Sequence, residues 1–453
     1  MPSVQPPSGF RDFINQDASR RLHLIHRIAK VYESFGFLPL ETSALESLDV
    51  LLGGGGGEEN EKLIFKVLKR GEKLQTALAS GPESIESKIA EFGLRFDMTV
   101  PLSRAVAAYR NQIHFPWKVF HVGSVWRAER PQKGRFREFT QCDVDIVGCK
   151  DIGAEIEVIQ AAVMALRSVG ATGFELRVND RRWIQAVGEK FGFVGPKFER
   201  FAILLDKKDK MELAEIIAKM AEILGQDLPA DLVACLEGRV TLESARPYHE
   251  EAIQGLQTLI STLESLSLPL TQIVFDPSLV RGMGYYTGPV FELRHPSAGY
   301  SFGGGGRYDR LIGRFSGTEI PACGFSIGFE RLALLLAESE AQKQKDLSKL
   351  FVPVFTESLR ASVLGWTAPL RSAGLTIDVF PAAAKLKNQF KFAADAGYRW
   401  VLIVGEQEWS SKIFKLKDFK EGSELELPEH QMIDHLRKSM LNAVEGTGEN
   451  DAK

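Results

Sequence analysis

The chain has 453 residues, 44% of them hydrophobic and 25% charged, with a formal net charge of −3. This is an ordinary globular composition, long enough for roughly three domains, and it excludes a global basic footprint for nucleic acid, so any such contact must come from a local arrangement of Lys and Arg. No apolar run reaches the roughly 18 residues of a membrane span, and the opening MPSVQPPSGFRDF has no signal-peptide core. Cys142, Cys149, Cys235 and Cys323 form no C-x-x-C pair. Neither a disulfide framework nor a zinc site is indicated, no metal ligands are assigned, and a reducing cytoplasm is the expected address.

Apolar groups at helical spacing predict an amphipathic helix over about residues 20–35. FLPLETSALESLDVLL then reads as strand, turn and helix. The run Gly53 to Gly57 is not followed by Gly-Lys-Ser/Thr, so it reads as a flexible loop rather than a phosphate loop. GLRFDMTVPLSRAVA, 93–107, predicts a strand entering a helix, with Asp97 and Thr99 two apart on the strand part; Thr99 also suits an N-cap ahead of Pro101. Residues 119–148, VFHVGSVWRAERPQKGRFREFTQCDVDIVG, predict two strands joined by a basic loop. Arg127 and Glu129 stand where the first strand ends. Gln141, Asp143 and Asp145 alternate along the second and so share one face. That row of acceptors beside an arginine-rich loop suits a cationic ligand on the sheet and a polyphosphate under the loop.

From about 180 to 268 the charged, amphipathic patterns, MELAEIIAKMAEIL among them, predict helices with a solvated charged face. CGFSIGFERLALLLAE, 323–338, predicts a strand running into an apolar helix, and ESEAQKQKDLSK a polar linker. Beyond it, strand-like VPVF, LTIDVF, WVLIVG and KIFKLKDF alternate with helical segments, predicting a small α/β unit with a partly parallel sheet. Lys385, Lys387 and Lys391 lie along one of those helices, on a solvated face or a phosphate-contacting one.

Ordered segments along the chain carry a resemblance. SGFRDF resembles the usual opening, and ERPQKGRFREF with the following Gln and acidic residues resembles motif 2, of the histidyl-tRNA synthetases in class II of the aminoacyl-tRNA synthetases. LVRGMGYYTGPVFE, 279–292, and GGGGRYDRLIG, 303–313, are similar to that family's two histidine signatures, and 323–338 to its motif 3. The resemblance runs from about Pro7 to Lys438. It implies an α+β catalytic core, an antiparallel sheet flanked by helices, over 1–178 and 271–338. A helical insertion at 179–270 interrupts the core. A linker at 339–348, an α/β anticodon-binding-like domain at 349–441 and a polar tail at 442–453 follow. In the family, motif 1 near FLPLET builds a homodimer, and the insertion contacts the tRNA acceptor stem. Two positions depart from the family: Ser43 stands for a proline in motif 1, and Gly284 for an acidic residue in the first signature.

The activity implied is a histidine–tRNA ligase: ATP and L-histidine give histidyl-adenylate, which charges tRNA(His), with Mg2+ accompanying ATP. Joining a carboxylate to a triphosphate brings two anions together, so catalysis rests on positioning and charge neutralisation. The resemblance assigns this to the arginines Arg127, Arg281 and Arg331, with Glu129, Arg135 and Arg137 also at the ATP site. Asp97, which stands where many bacterial members have glutamate, would bind the substrate ammonium together with Thr99 and Gln141. Asp145 and Tyr286 would each take one imidazole nitrogen, with Tyr285, Gly304 and Gly305 lining the pocket; requiring both partners gives discrimination. Lys385, Lys387 and Lys391 would meet tRNA. Taken singly, Arg127 also fits a rim ion pair with Glu129, Arg331 a helix-surface arginine, Tyr286 core packing and Asp145 an ion-paired strand residue. Two rival readings stand beside the ligase. One is a catalytically silent paralogue serving as the histidine-sensing regulatory subunit of ATP phosphoribosyltransferase; the other is a binding module without chemistry.

Overall fold

The computed structural model describes residues 4–53, 60–79, 88–132, 134–208, 211–280, 284–338 and 349–445. It falls into two units, 1–338 and 339–453. In the first, the strands in chain order are β1 (Leu38–Pro39), β2 (Leu45–Ser47), β3 (Lys66–Leu68), β4 (Ala90–Leu94), β5 (Trp117–Trp126), β6 (Glu138–Val147), β7 (Phe174–Asp180), β8 (Leu270–Phe275), β9 (Pro289–Arg294), β10 (Ser301–Arg307) and β11 (Ala322–Gly328). Eight of them form one sheet in the order β1-β5-β6-β11-β10-β9-β7-β8. Its pairs are antiparallel except at the two edges, where β1 runs parallel to β5 and β8 parallel to β7. A three-stranded sheet, β2-β4-β3, accompanies it.

The alternation on β6 decides which way this sheet faces. Cys142, Val144 and Ile146 enter the main hydrophobic core, so Gln141, Asp143 and Asp145 are directed to the other face. Against the core face pack Leu24, Ile28 and Tyr32 of the helix Asn15–Ser34, spaced four apart on one stripe. The helix Gly153–Ser168 adds Val158, Ala162 and Leu166 to the same core. Arg307, at the end of β10, anchors this helix. Its Nε and Nη2 reach Glu155 Oε1 and Oε2 at 2.6 and 2.7 Å, and it also donates to the carbonyls of Cys149 and Asp151. Burial opposes the Arg307 charge, but the Glu155 carboxylate outweighs it and raises the guanidinium pKa.

The segment 181–265 is helical, and its longest members are Leu213–Leu224 and Glu250–Ser265. On the former, Ile216, Met220 and Ile223 are buried while Glu215 and Lys219 pair at 2.7 Å on the outer face, the solvated face the charge pattern predicts.

In the second unit, β12 (Lys349–Val352), β13 (Thr376–Val379), β14 (Trp400–Ile403), β15 (Ile413–Asp418) and β16 (Glu424–Pro428) form a sheet in the order β13-β12-β14-β15-β16. The pairs of β12 with β13 and β14 are parallel; β14-β15 and β15-β16 are antiparallel. The sheet is partly parallel, as the alternation of strands and helices predicts.

Candidate active site

The acidic face of the large sheet floors a cavity of about 680 Å³ in the first unit. Strand register explains how distant residues meet there. In one transverse row His121 faces Asp143, Asp143 faces Ser326, Ser326 faces Gly304, Gly304 faces Glu292 and Glu292 faces Arg177. Two residues along β6 from this row, Asp145 faces Gly324, where a Cβ would overlap Asp145 Oδ1. Glycine at 324 is therefore what lets the carboxyl lie across the sheet. Gly305 is equally confined: a Cβ there would meet the Gly324 carbonyl and the Phe291 ring.

Of the residues expected at the site, Asp97, Thr99, Arg127, Glu129, Arg135, Gln141, Asp145, Tyr285, Tyr286, Gly304, Gly305 and Arg331 line this cavity. Arg137 does not. Its guanidinium donates to the carbonyls of Glu129 and Ser8, and its stem packs on Gly9, so it braces the loop from behind. Arg281 lies outside the described residues, as does most of the glycine run 53–57. Gly284 is exposed in a turn. Lys385 precedes the helix Leu386–Asp395 in the second unit, and Lys387 and Lys391 share one of its faces; all three are exposed.

Asp97 and Thr99 differ from the expected geometry. The strand ends at Leu94, and Thr99 opens the helix Thr99–Tyr109. The N-cap position is Met98, and it is Asp97 rather than Thr99 whose side chain meets the first turn: Asp97 Oδ1 accepts the Val100 N–H at 3.1 Å. The shorter strand leaves Asp97 two residues ahead of the helix, within reach of a first-turn donor.

The floor is strongly acidic and dry. Asp97, Asp143 and Asp145 are 2%, 3% and 4% exposed, so none is a solvated surface charge. Burial pushes the Asp97 carboxyl up to about 6, against the pull of the Val100 N–H and Arg127. Burial likewise raises Asp145 to about 7, although its Oδ1 accepts the Tyr308 hydroxyl at 2.6 Å. Asp143 is pushed well above the carboxylate range by burial and by Asp145 beside it. Behind it, burial and Arg95 hold His121 neutral, down at about 3. Three carboxyls packed this way favour a ligand that is cationic and rich in N–H donors.

The rim is basic. Arg127 donates through Nε to the Phe96 carbonyl at 3.0 Å, with its guanidinium over the Phe139 ring. Arg331, on the helix Phe329–Glu338, donates to the carbonyls of Ser301 at 2.6 Å and Gly134 at 3.4 Å and lies over Tyr300. Arg135 pairs with Glu129 at 3.2 Å. Backbone carbonyls thus hold Arg127 and Arg331 in place at the rim of the cavity. Forked, permanently charged groups held this way suit phosphate oxygens.

Several lining residues escape sequence reasoning. Arg177 and Arg294 come from edge-side strands, and Leu205, Asp206 and Lys208 from the end of an insertion helix, with Lys208 Nζ donating to Ser278 Oγ at 2.8 Å. A signal for the arginines exists in the sequence. FELR occurs at 174–177 and again at 291–294, and in each the strand alternation puts a charged pair on one face. No local signal marks Lys208, which arrives by tertiary packing.

An antiparallel sheet with an acidic amino-acid floor and an arginine rim for polyphosphate is the core of a class II aminoacyl-tRNA synthetase. Sequence comparison carries this further. A family described as Histidyl-tRNA synthetase matches residues 85–332, and one described as Anticodon binding domain matches residues 349–439. The histidine–tRNA ligase of Leifsonia xyli is 40% identical over 418 residues, covering 88% of this chain and 95% of its own length. That of Christiangramia forsetii is 33% identical, covering 94% and 97%. The chain belongs to the histidyl-tRNA synthetase family. Its fold is shared with a histidyl-tRNA synthetase from Nostoc, TM-score 0.78 at 24% identity, over 97% of this chain and 100% of that one. A Bacillus halodurans protein described as an ATP phosphoribosyltransferase regulatory subunit/histidyl-tRNA synthetase also shares it, TM-score 0.70 at 21% identity, over 89% and 99%.

Proposed function

We propose that the protein is a histidine–tRNA ligase. It activates L-histidine with ATP to histidyl-adenylate and pyrophosphate, then transfers the histidyl group to the 3′ end of tRNA(His). The observation that carries this reading is the convergence of a buried acidic floor and a backbone-oriented arginine rim in one cavity. Asp97, Thr99 and Gln141 receive the α-ammonium, and Asp145 and Tyr286 the two imidazole nitrogens. Arg127 bridges the substrate carboxylate and the α-phosphate, and Arg331 holds the γ-phosphate, with Glu129 and Arg135 at the same subsite. The carboxylate oxygen attacks the α-phosphorus and pyrophosphate departs. A hydroxyl of the terminal adenosine then attacks the mixed anhydride and releases AMP. Fixed guanidinium groups lower the barrier to the first step because they need no reorganisation as charge moves onto the leaving phosphate.

Among the described residues no group of three or more His, Cys, Asp or Glu could hold a metal ion. A magnesium ion would therefore enter on the phosphates of ATP, where it neutralises charge, and no step here is assigned to it. Lys385, Lys387 and Lys391 are proposed tRNA contacts on the second unit. The homodimer reading gains support from exposed Leu38 and Leu45 on short strands in the motif 1 region. For a cytoplasmic address, the four cysteines are free and, among the described residues, no helix is long and apolar enough to cross a membrane. The regulatory-subunit reading has less behind it, since the anticodon-binding match and the arginine pair Arg127 and Arg331 have no use there.

The test is charging of tRNA with labelled histidine by the full chain. Arg127→Ala should reduce charging by about 1000-fold while thermal unfolding shows the fold intact. Near-normal charging by that variant would refute the assignment.

A further inference from the structure

The opening segment SGFRDF, residues 8–13, has no part in the site described so far beyond the contact of Ser8 and Gly9 with Arg137. It lies against the limb of the β5–β6 loop that leads into β6. The Gly9 carbonyl accepts the Arg137 N–H at 2.9 Å and the Glu138 N–H at 3.4 Å. The Arg137 carbonyl in turn accepts the Arg127 N–H at 2.8 Å. Backbone bonds therefore run from the N-terminal segment through Arg137 to Arg127, which lines the cavity. Gly9 has a φ of +87°, and a Cβ there would come within 2.8 Å of the Arg137 side chain. Both the left-handed backbone and the close approach require glycine at this point.

Side chains make a second attachment. The Arg11 guanidinium carbon stands 3.4 Å from the centre of the Phe136 ring, the spacing of a planar cation stacked on an aromatic face. Phe136 lines the cavity; Arg11 does not. The segment is itself anchored. Phe10 meets the edge of Phe65 at 5.8 Å, and the Arg21 guanidinium lies 3.9 Å from the Phe13 ring centre. Arg21, on the helix Asn15–Ser34, pairs with Glu330 at 2.7 Å, and Glu330 accepts the Thr140 N–H at 2.8 Å. Glu330 precedes Arg331 on the same helix. Residues 8–13 are thus tied to both elements that carry the arginine rim, the β5–β6 loop and the helix Phe329–Glu338.

We propose that residues 8–13 clamp the β5–β6 loop and that Arg11 is a positioning residue for the nucleotide subsite, acting through Phe136. This rests on the ATP reading of the rim given above. Arg11 backs the Phe136 ring and fixes it as a wall of the cavity, while Gly9 fixes the loop base that carries Arg127. A wall and an arginine held in place before ATP arrives lose less freedom when it binds. The clamp serves ATP and not histidine, because its attachments end on the rim elements and none of them is to a carboxyl of the acidic floor.

The experiment measures dissociation constants of the full chain for ATP and for histidine by calorimetry, with thermal unfolding alongside. Arg11→Ala should weaken ATP by about 3- to 30-fold, the worth of one stacked cation, and leave histidine within about twofold. Phe136→Leu should also weaken ATP, and adding Arg11→Ala to it should cost no more than about another twofold, because the arginine acts through the ring. Gly9→Ala should show the same loss confined to ATP. An ATP loss under about twofold in Arg11→Ala, an equal loss for both ligands, or additive losses in the double variant would overturn the proposal. So would a lowered melting temperature with both affinities unchanged, the mark of a brace with no bearing on the nucleotide. If Gly9→Ala does not fold, the Arg11 variants decide, since that side chain is exposed. Wild-type protein that binds no ATP would overturn the reading of the rim itself, an outcome distinct from variants that bind ATP as wild type does.

Discussion

The substitution Asp145→Asn isolates the cost of the dry acidic floor. The folded-state carboxyl sits at about 7 against an ordinary 3.8, chiefly through burial. A carboxyl raised in the folded state contributes stability that is fully present below its ordinary value and is lost as pH rises through its folded value. Between pH 5 and pH 8, linkage with these two values makes the loss about 2.5 kcal/mol. Asparagine keeps the shape and carries no charge, so it escapes that loss. Its effect on the Tyr308 hydrogen bond does not vary with pH and cancels from the comparison. Removal of the Asp145 charge also relieves Asp97, which is raised to about 6 and titrates in the same window; this adds in the same direction. Urea unfolding of ligand-free protein, followed by tryptophan fluorescence, gives the stability of each form at both pH values. The gap between Asn and wild type should move by about 2–3 kcal/mol in favour of Asn from pH 5 to pH 8. A gap constant to within about 0.5 kcal/mol would mean that this carboxyl titrates normally, and the dry-floor argument would fail.

Other substitutions probe separate parts of the account. Glu155→Gln takes from Arg307 its two-pronged carboxylate partner and leaves it Asp309 at 3.2 Å; thermal or urea unfolding should show a loss of about 1.5–3 kcal/mol, and a change under about 0.5 kcal/mol would show that the pair is dispensable. Gly324→Ala drives a methyl into Asp145 Oδ1, so calorimetry should find histidine bound at least about 10-fold more weakly and ATP unchanged; equal loss of both ligands would point to general damage. Asp145→Ala and Tyr286→Phe should likewise weaken histidine more than ATP, and a parallel loss would remove them from the imidazole subsite.

Much of this site is legible in the sequence because its geometry is local. Strand alternation alone puts Gln141, Asp143 and Asp145 on one face, and β5 and β6 occur where the 119–148 pattern predicts them. The parts that are not legible depend on register between distant strands. Nothing local says that Gly324 lies opposite Asp145 or Ser326 opposite Asp143. Nor can sequence show that the Tyr308 hydroxyl ends on Asp145 or that Lys208 reaches Ser278 from the insertion. Asp97 illustrates a competition the pattern does not resolve: a strand that ends at Leu94 turns an expected strand carboxylate into an acceptor for the first turn of a helix. Arg137 illustrates the converse, an arginine in the right loop whose donors are taken by the backbone of Ser8 and Glu129.

The most direct test of the central claim is exchange of labelled pyrophosphate into ATP by the purified full chain, without tRNA, across the standard amino acids. The account predicts exchange with histidine alone. Absence of exchange while histidine still binds would contradict it and favour a histidine-sensing subunit without adenylation chemistry.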